Sequence, residues 1–435
     1  MMSADKADSG VSGGERGVLA GRAPSGGDIW SREAFLIFLL LALCYFAFFF
    51  HFGTHPLWNG EEAMHATISK EMVLAGDWIT PTFNGEKFYD KPALHNWFVS
   101  LSFLIFGLTE FAARLPSALL GTGCVLVVYL LGRSMFGPMV GFFSGVILAT
   151  SAEAIILSRV VIHDIALVFF ITLSLFIFYH GFKGGTHRKR YFLLFYASSG
   201  FAVLAKGPVG VLLPALIIGL FLIVQKKADL LRELVNLRGI ILFLAIAAPW
   251  YILISLKNRD YGEYFLIHQN LMNFLSAEAR HRSPFYFYFP VLLGGFLPWS
   301  FFLPFALIRA YRRTFKERET ATVFLVLWFL VIFLFFSAAS SKLSSYILPL
   351  FPAVSLLVGV FWNDCLKTPE REFRKGFLCS FNSFLGILAA VLIHLGVAPP
   401  GDLESKYGVS PARLFSALFL PLPGVAFAFF VFLKR

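Results

Sequence analysis

The chain has 435 residues, of which 57% are hydrophobic and only 14% charged, and its mean hydropathy is +0.73. A soluble domain carries about 25% charged residues, so this composition excludes a soluble enzyme. The lack of polar-in, apolar-out alternation excludes an outer-membrane barrel, and 53 Phe suit lipid-facing helices instead.

Residues 1–29 are rich in Gly, Ser and Ala, lack the apolar core of a signal peptide, and read as a flexible tail before a membrane domain over 30–435. A transmembrane helix needs about 20 mainly apolar residues. Such runs begin near Ala34, Leu115, Met139, Ile165, Tyr191, Val209, Gly239, Phe289, Ala321, Tyr346, Phe377 and Leu414. The expected fold is therefore an all-α polytopic membrane protein, a bundle of about twelve transmembrane helices. Ala93–Gly107 is shorter and opens with His95, Asn96 and Trp97, which leaves it open as a span or an interfacial helix. Cys44, Cys124, Cys365 and Cys379 show neither CxxC nor metal-ligand spacing and read as free thiols.

Charge settles the parity. With Ala93–Gly107 interfacial and the N-terminus inside, the basic clusters at 183–190, 226–238, 309–318 and 367–375 all fall on the cytoplasmic side. With the N-terminal tail, Arg133, Lys434 and Arg435, that places 24 of the 37 Lys and Arg residues inside. Treating Ala93–Gly107 as a span would export those clusters, against the positive-inside rule. The net charge of +11 needs no nucleic-acid partner on this reading. Both termini are expected in the cytoplasm. The external face then carries two polar loops, 52–114 with interfacial helices and 257–288. No P-loop or Rossmann glycine pattern is present.

The first loop holds Asn59-Gly60-Glu61-Glu62, where Asn59 and Glu62 form a capping-box-like start. The helix they open places Glu61 and His65 on one face. Asp164 lies where an apolar run enters the membrane, and ionisable residues there default to function. The plainer alternative is an Arg159–Asp164 ion pair that only orients a loop. Lys91 precedes Pro92 in extended chain and suits a substrate phosphate. Lys206 reads as a helix-end lysine reaching the interface, His163 as a neighbour of Asp164, and Trp78, Trp97 and Trp299 as interfacial belt residues. His281 and Arg282 fit headgroup anchoring or phosphate contact equally.

An ordered series of short motifs resembles one family. The series runs from Glu61-Glu62-Ala63 through Gly76-Asp77-Trp78, Asp90-Lys91-Pro92 and Phe111–Ser117 to Ser158-Arg159 and Asp164. It continues in Lys206–Gly210, His281–Phe285, Leu297-Pro298-Trp299 and Ser341-Lys342 with Tyr346. The pattern is similar to the bacterial aminoarabinose transferase (ArnT) and protein mannosyltransferase group of GT-C membrane glycosyltransferases. The resemblance implies transfer of a sugar from a polyprenyl-phosphate carrier to a lipid A-like glycolipid or a protein, at the external face of the inner membrane. It implies Glu61 as catalytic carboxylate, with Glu62 beside it, and Asp164 as second acid. Lys91, His281, Arg282 and Tyr346 would bind the donor phosphate, and Glu61 with Asp164 would hold a divalent metal, as in some relatives. The family usually writes Asp where this chain has Glu61, and an Arg where it has Met64. The soluble C-terminal domain of many relatives is not expected here. Two other readings stay open: a transporter or flippase for lipid-linked substrates, and a scaffold of the same fold without activity.

Overall fold

A backbone in lipid has no water to bond, so an apolar chain closes its hydrogen bonds within helices. The computed structural model describes residues 26–58, 60–263 and 283–367, and these are mainly helical. Helix α1 (Gly26–Cys44) continues into one π turn and leads to the first polar loop. There α2 (Glu61–Ala75), a two-residue hairpin of β1 (Thr82–Phe83) and β2 (Glu86–Lys87), and α3 (Leu94–Phe106) lie in sequence. Then follow α4 (Glu110–Phe136), α5 (Pro138–Ala149), α6 (Ala152–Ser158), α7 (His163–Lys183), α8 (Arg188–Lys206) and α9 (Val209–Val224). The order continues with α10 (Asp229–Leu234), α11 (Leu237–Lys257), the single turn α12 (Tyr261–Glu263) and α13 (Tyr288–Gly295). Last come α14 (Leu303–Phe315), α15 (Thr320–Ala338), a 3₁₀ segment Ser344–Leu350 and α16 (Phe351–Lys367).

Among the described residues six helical stretches are long and apolar enough to cross a membrane, or seven if α5 and α6, bent by 67°, form one broken span. The expected runs near Val209 and Phe289 are helical but short, and the run near Tyr191 lies in α8, which opens on Arg188-Lys189-Arg190. The runs expected from Phe377 and Leu414 lie outside the described residues. Helix α3 has 13 residues, about 20 Å at 1.5 Å per residue and short of a bilayer core.

Helix α7 runs through the middle of the bundle against α8, α4 and α9. Small side chains bring α7 and α8 together: the Ser198 hydroxyl donates to the Phe170 carbonyl at 3.0 Å, and Ser174 faces Ser199. Below them Phe178, Phe221 and Phe324 pack ring on ring, with Phe221 and Phe324 centroids 5.0 Å apart in an edge-on arrangement. Part of the phenylalanine surplus thus builds the interior. Trp299, expected at the interface, is instead buried; its indole N–H donates to Thr150 Oγ1 at 2.9 Å and its ring packs on Trp362.

The first polar loop is latched to the C-terminal end of α11. Lys257 pairs with Asp77 at 2.6 Å, Asn258 donates to the Thr80 hydroxyl, and the Trp250 indole donates to the Ile79 carbonyl. Glu71 closes the hairpin from within, accepting from the Thr82 hydroxyl and the Asn84 N–H. Asn84 and Gly85 both have positive φ, the requirement of a tight hairpin turn that Asn-Gly meets at least cost. These contacts fix the loop to the end of α11.

Candidate active site

Helix α2 starts at Glu61 behind Gly60, whose φ of +103° suits glycine alone. The expected capping box does not form: Gly60 is the N-cap, no side chain caps the helix, and Asn59 lies outside the described residues. Glu62 turns inward. Its carboxylate accepts from Arg114 Nε at 2.8 Å and Nη2 at 2.9 Å, and from the N–H groups of Trp58 and Val161. Arg114 also donates to the carbonyls of Phe52, His55 and Pro56. This pair, both members buried, ties α2, α4, the 52–58 loop and the entry to α7 into one knot. Glu61, the residue before it, is left exposed at the start of α2.

Asp164 sits in the first turn of α7, where the helix N-terminus favours a carboxylate. Its partner is Lys206, with which it forms a close ion pair. The alternative Arg159 pairing does not occur: Arg159 donates to the carbonyls of Ala47 and Phe50. Lys206 therefore does more than reach for the interface. It ends α8 just before Gly207, whose positive φ stops the helix, and its ammonium lies over the Tyr346 ring, 4.0 Å from the centroid. Tyr346 comes from the 3₁₀ segment before α16, so the start of α7, the end of α8 and this segment meet at Lys206. The cue in the sequence was a lysine closing an apolar helix on the same face of the membrane as Asp164.

Lys91 is half-buried in this neighbourhood. Burial and the Lys206 ammonium lower its pKa, while the Asp90, Asp164 and Glu61 carboxylates act in the opposite sense. Glu61, Lys91, Asp164 and Lys206 thus form one group of interacting charges, with the Tyr346 ring against Lys206. Glu62 stands apart in the Arg114 knot. His281 and Arg282 lie outside the described residues.

The sequence places His65 on the Glu61 face and His163 beside Asp164 but gives the histidines no role. His65 and His95 are buried with His163 beside this group. Burial pushes the His65 imidazole down to about 3 and His95 down to about 4. Both stay neutral in the folded chain but take a proton below about pH 6.5 once unfolded. The unfolded state then binds more protons, so stability falls as pH drops from 6.5 toward 4. At pH 5 each contributes about 2 kcal/mol of destabilisation. Thermal unfolding of the purified chain should therefore show a lower Tm at pH 5 than at pH 7, with H95N narrowing the gap. Equal Tm values at the two pH values would refute neutral burial.

Residues 90–253 match the family of dolichyl-phosphate-mannose-protein mannosyltransferases. The chain is 31% identical over 409 residues to the undecaprenyl phosphate-alpha-4-amino-4-deoxy-L-arabinose arabinosyl transferase of Aeromonas salmonicida, covering 92% of this chain and 71% of that protein. It is also 31% identical to the protein of that name from Pseudomonas aeruginosa, over 89% of this chain and 69% of the relative. ArnT from Cupriavidus metallidurans in the apo state superposes with a TM-score of 0.74 at 25% identity, over 94% of this chain and 72% of that structure. The Archaeoglobus fulgidus oligosaccharyltransferase, at 13% identity and a TM-score of 0.53 over 89% of this chain and 56% of its own, shares the fold alone. Ordered motifs, fold and relatives agree: the chain belongs to the bacterial aminoarabinose transferase group of GT-C membrane glycosyltransferases.

Proposed function

We propose that Glu61, Lys91, Asp164, Lys206 and Tyr346 form the site at which this membrane glycosyltransferase moves a sugar from undecaprenyl phosphate to a lipid A-like or protein acceptor on the external face. The acceptor oxygen attacks the anomeric carbon and the bond from that carbon to the phosphate oxygen breaks. Glu61, exposed at the start of α2, takes the acceptor proton. Lys91 receives the charge that returns to the carrier phosphate. Asp164 holds Lys206 against Tyr346, so the second ammonium stays at the edge of the site rather than collapsing into it. Glu62 acts through position only, by anchoring the loop that carries Glu61.

The observation that supports this reading is the meeting of the Glu61, Asp90 and Asp164 carboxylates with the Lys91 and Lys206 ammonium groups. A divalent ion between Glu61 and Asp164 does not fit these residues. Asp164 already holds an ammonium, and among the described residues no three His, Cys, Asp or Glu side chains are placed to hold a metal ion. No step here runs through one. The external placement follows from the lysine and arginine distribution. The full membrane fold is about twelve transmembrane helices, with 1–29 a cytoplasmic tail and 30–435 the transferase domain.

The test is transfer from undecaprenyl phosphate-4-amino-4-deoxy-L-arabinose to lipid A by the purified full chain. E61A should lower turnover by about 10²-fold or more. E61D should also lose activity, because withdrawing the carboxylate by roughly 1 Å misplaces a base in a pocket shaped for Glu. Unchanged turnover in E61A would remove Glu61 from the mechanism. A parent chain without turnover would make it an inactive scaffold.

A further inference from the structure

Three imidazoles meet beneath the charged groups, and the reaction above uses none of them. His65 stands one helical turn past Glu61 on α2, His95 four positions past Lys91 at the start of α3, and His163 next to Asp164 at the start of α7. The His65 and His163 ring centroids are 4.4 Å apart in an edge-on arrangement, and those of His95 and His163 are 5.0 Å apart. The three residues are 4%, 0% and 1% exposed. His95 Nε2 lies 3.2 Å from the Ser117 hydroxyl. Four other ring nitrogens have no hydrogen-bond partner: Nδ1 of His65, Nδ1 of His95, and both nitrogens of His163. A buried polar group left unpaired costs about 1–3 kcal/mol, so four in one cluster ask for a partner from outside the chain.

We propose that the His65–His95–His163 cluster is the subsite that receives ring hydroxyls of the donor sugar. The proposal rests on the reading that Lys91 holds the carrier phosphate. Charge selects the ligand. The Lys91 and Lys206 ammonium groups and burial keep the His65 imidazole neutral. A neutral imidazole offers one donor and one acceptor, which complements a hydroxyl. A phosphate finds stronger partners in the lysines, which leaves the neutral imidazoles to the hydroxyls of the sugar. Geometry agrees: one helical turn, about 5.4 Å, separates Glu61 from His65, a gap comparable with one sugar ring. Lys91 acts on the His65 imidazole, so a donor whose phosphate rests on Lys91 brings its sugar toward the cluster.

The test measures binding to the full chain in lipid nanodiscs. The probes are undecaprenyl phosphate, undecaprenyl phosphate-4-amino-4-deoxy-L-arabinose, and a donor analogue lacking the ring hydroxyls. H95F and H163F keep a ring and remove its nitrogens. Each should weaken the sugar-bearing donor about tenfold, the loss of one hydrogen bond, and leave undecaprenyl phosphate unchanged. On the unaltered chain the deoxygenated analogue should bind about tenfold more weakly than the full donor, a result independent of how the variants fold. Equal weakening of carrier and donor in the variants would make the cluster a packing feature and overturn the proposal. So would equal affinity of the unaltered chain for donor and analogue, or donor binding that requires added Zn²⁺. If the unaltered chain fails to bind undecaprenyl phosphate, the carrier reading itself falls, and this proposal with it.

Discussion

Asp164→Asn should lower sugar transfer by about 10²-fold or more while the chain still folds, because it keeps the shape of the side chain and removes the charge that holds Lys206. In the folded chain Asp164 is 6% exposed and its ion pair fixes an ammonium above the Tyr346 ring. Without the carboxylate, Lys206 remains a half-buried cation in the same neighbourhood as Lys91, and the two repel. On the proposed reading Lys91 then meets the carrier phosphate beside a competing charge, and the fall should appear in turnover more than in the amount of folded protein. K206A should restore part of the stability lost in D164N but none of the activity. Turnover with the aminoarabinose donor, measured beside Tm for both single variants and the pair, checks this. Full activity in D164N would remove Asp164 from the site.

The largest effect on stability belongs to the Glu62–Arg114 knot. Removing one member of a buried, hydrogen-bonded ion pair typically costs about 3–5 kcal/mol, since the other is left as an uncompensated charge. Arg114 donates five hydrogen bonds, two to Glu62 and three to carbonyls of the 52–58 loop. E62A and R114A should therefore each lower Tm sharply and reduce the folded protein recovered from membranes. The double variant should be less destabilised than the sum of the two. E61A should leave Tm near that of the parent. Two adjacent glutamates then separate cleanly: one loss is of chemistry, the other of structure. An E62A chain with parental Tm would show that the knot does not hold the fold.

These contrasts mark where local information ends. Composition and apolar run length determined a helical membrane protein, because a backbone in lipid must bond to itself and the bilayer sets the length of a span. The shortness of Ala93–Gly107 was legible for the same reason, and α3 is the result. Glu61 and Asp164 stood out because ionisable groups near the ends of apolar runs are costly unless used, Lys91 because it lies in extended chain before a proline, and Tyr346 through the family resemblance alone. Only the tertiary structure decided their partners. Glu62 and Arg114 lie 52 positions apart, Asp164 and Lys206 42 apart, and the three imidazoles come from α2, α3 and α7. Apolar periodicity reports which face of a helix is buried, but not which other helix end that face meets. Trp299 shows the same limit: an aromatic with a polar edge suits either a membrane interface or a core position with a waiting acceptor, and Thr150 on a distant segment is what placed it inside. Hydropathy is summed along the chain, whereas the pairing of charges depends on how helices cross and on where the loop between α1 and α4 is latched.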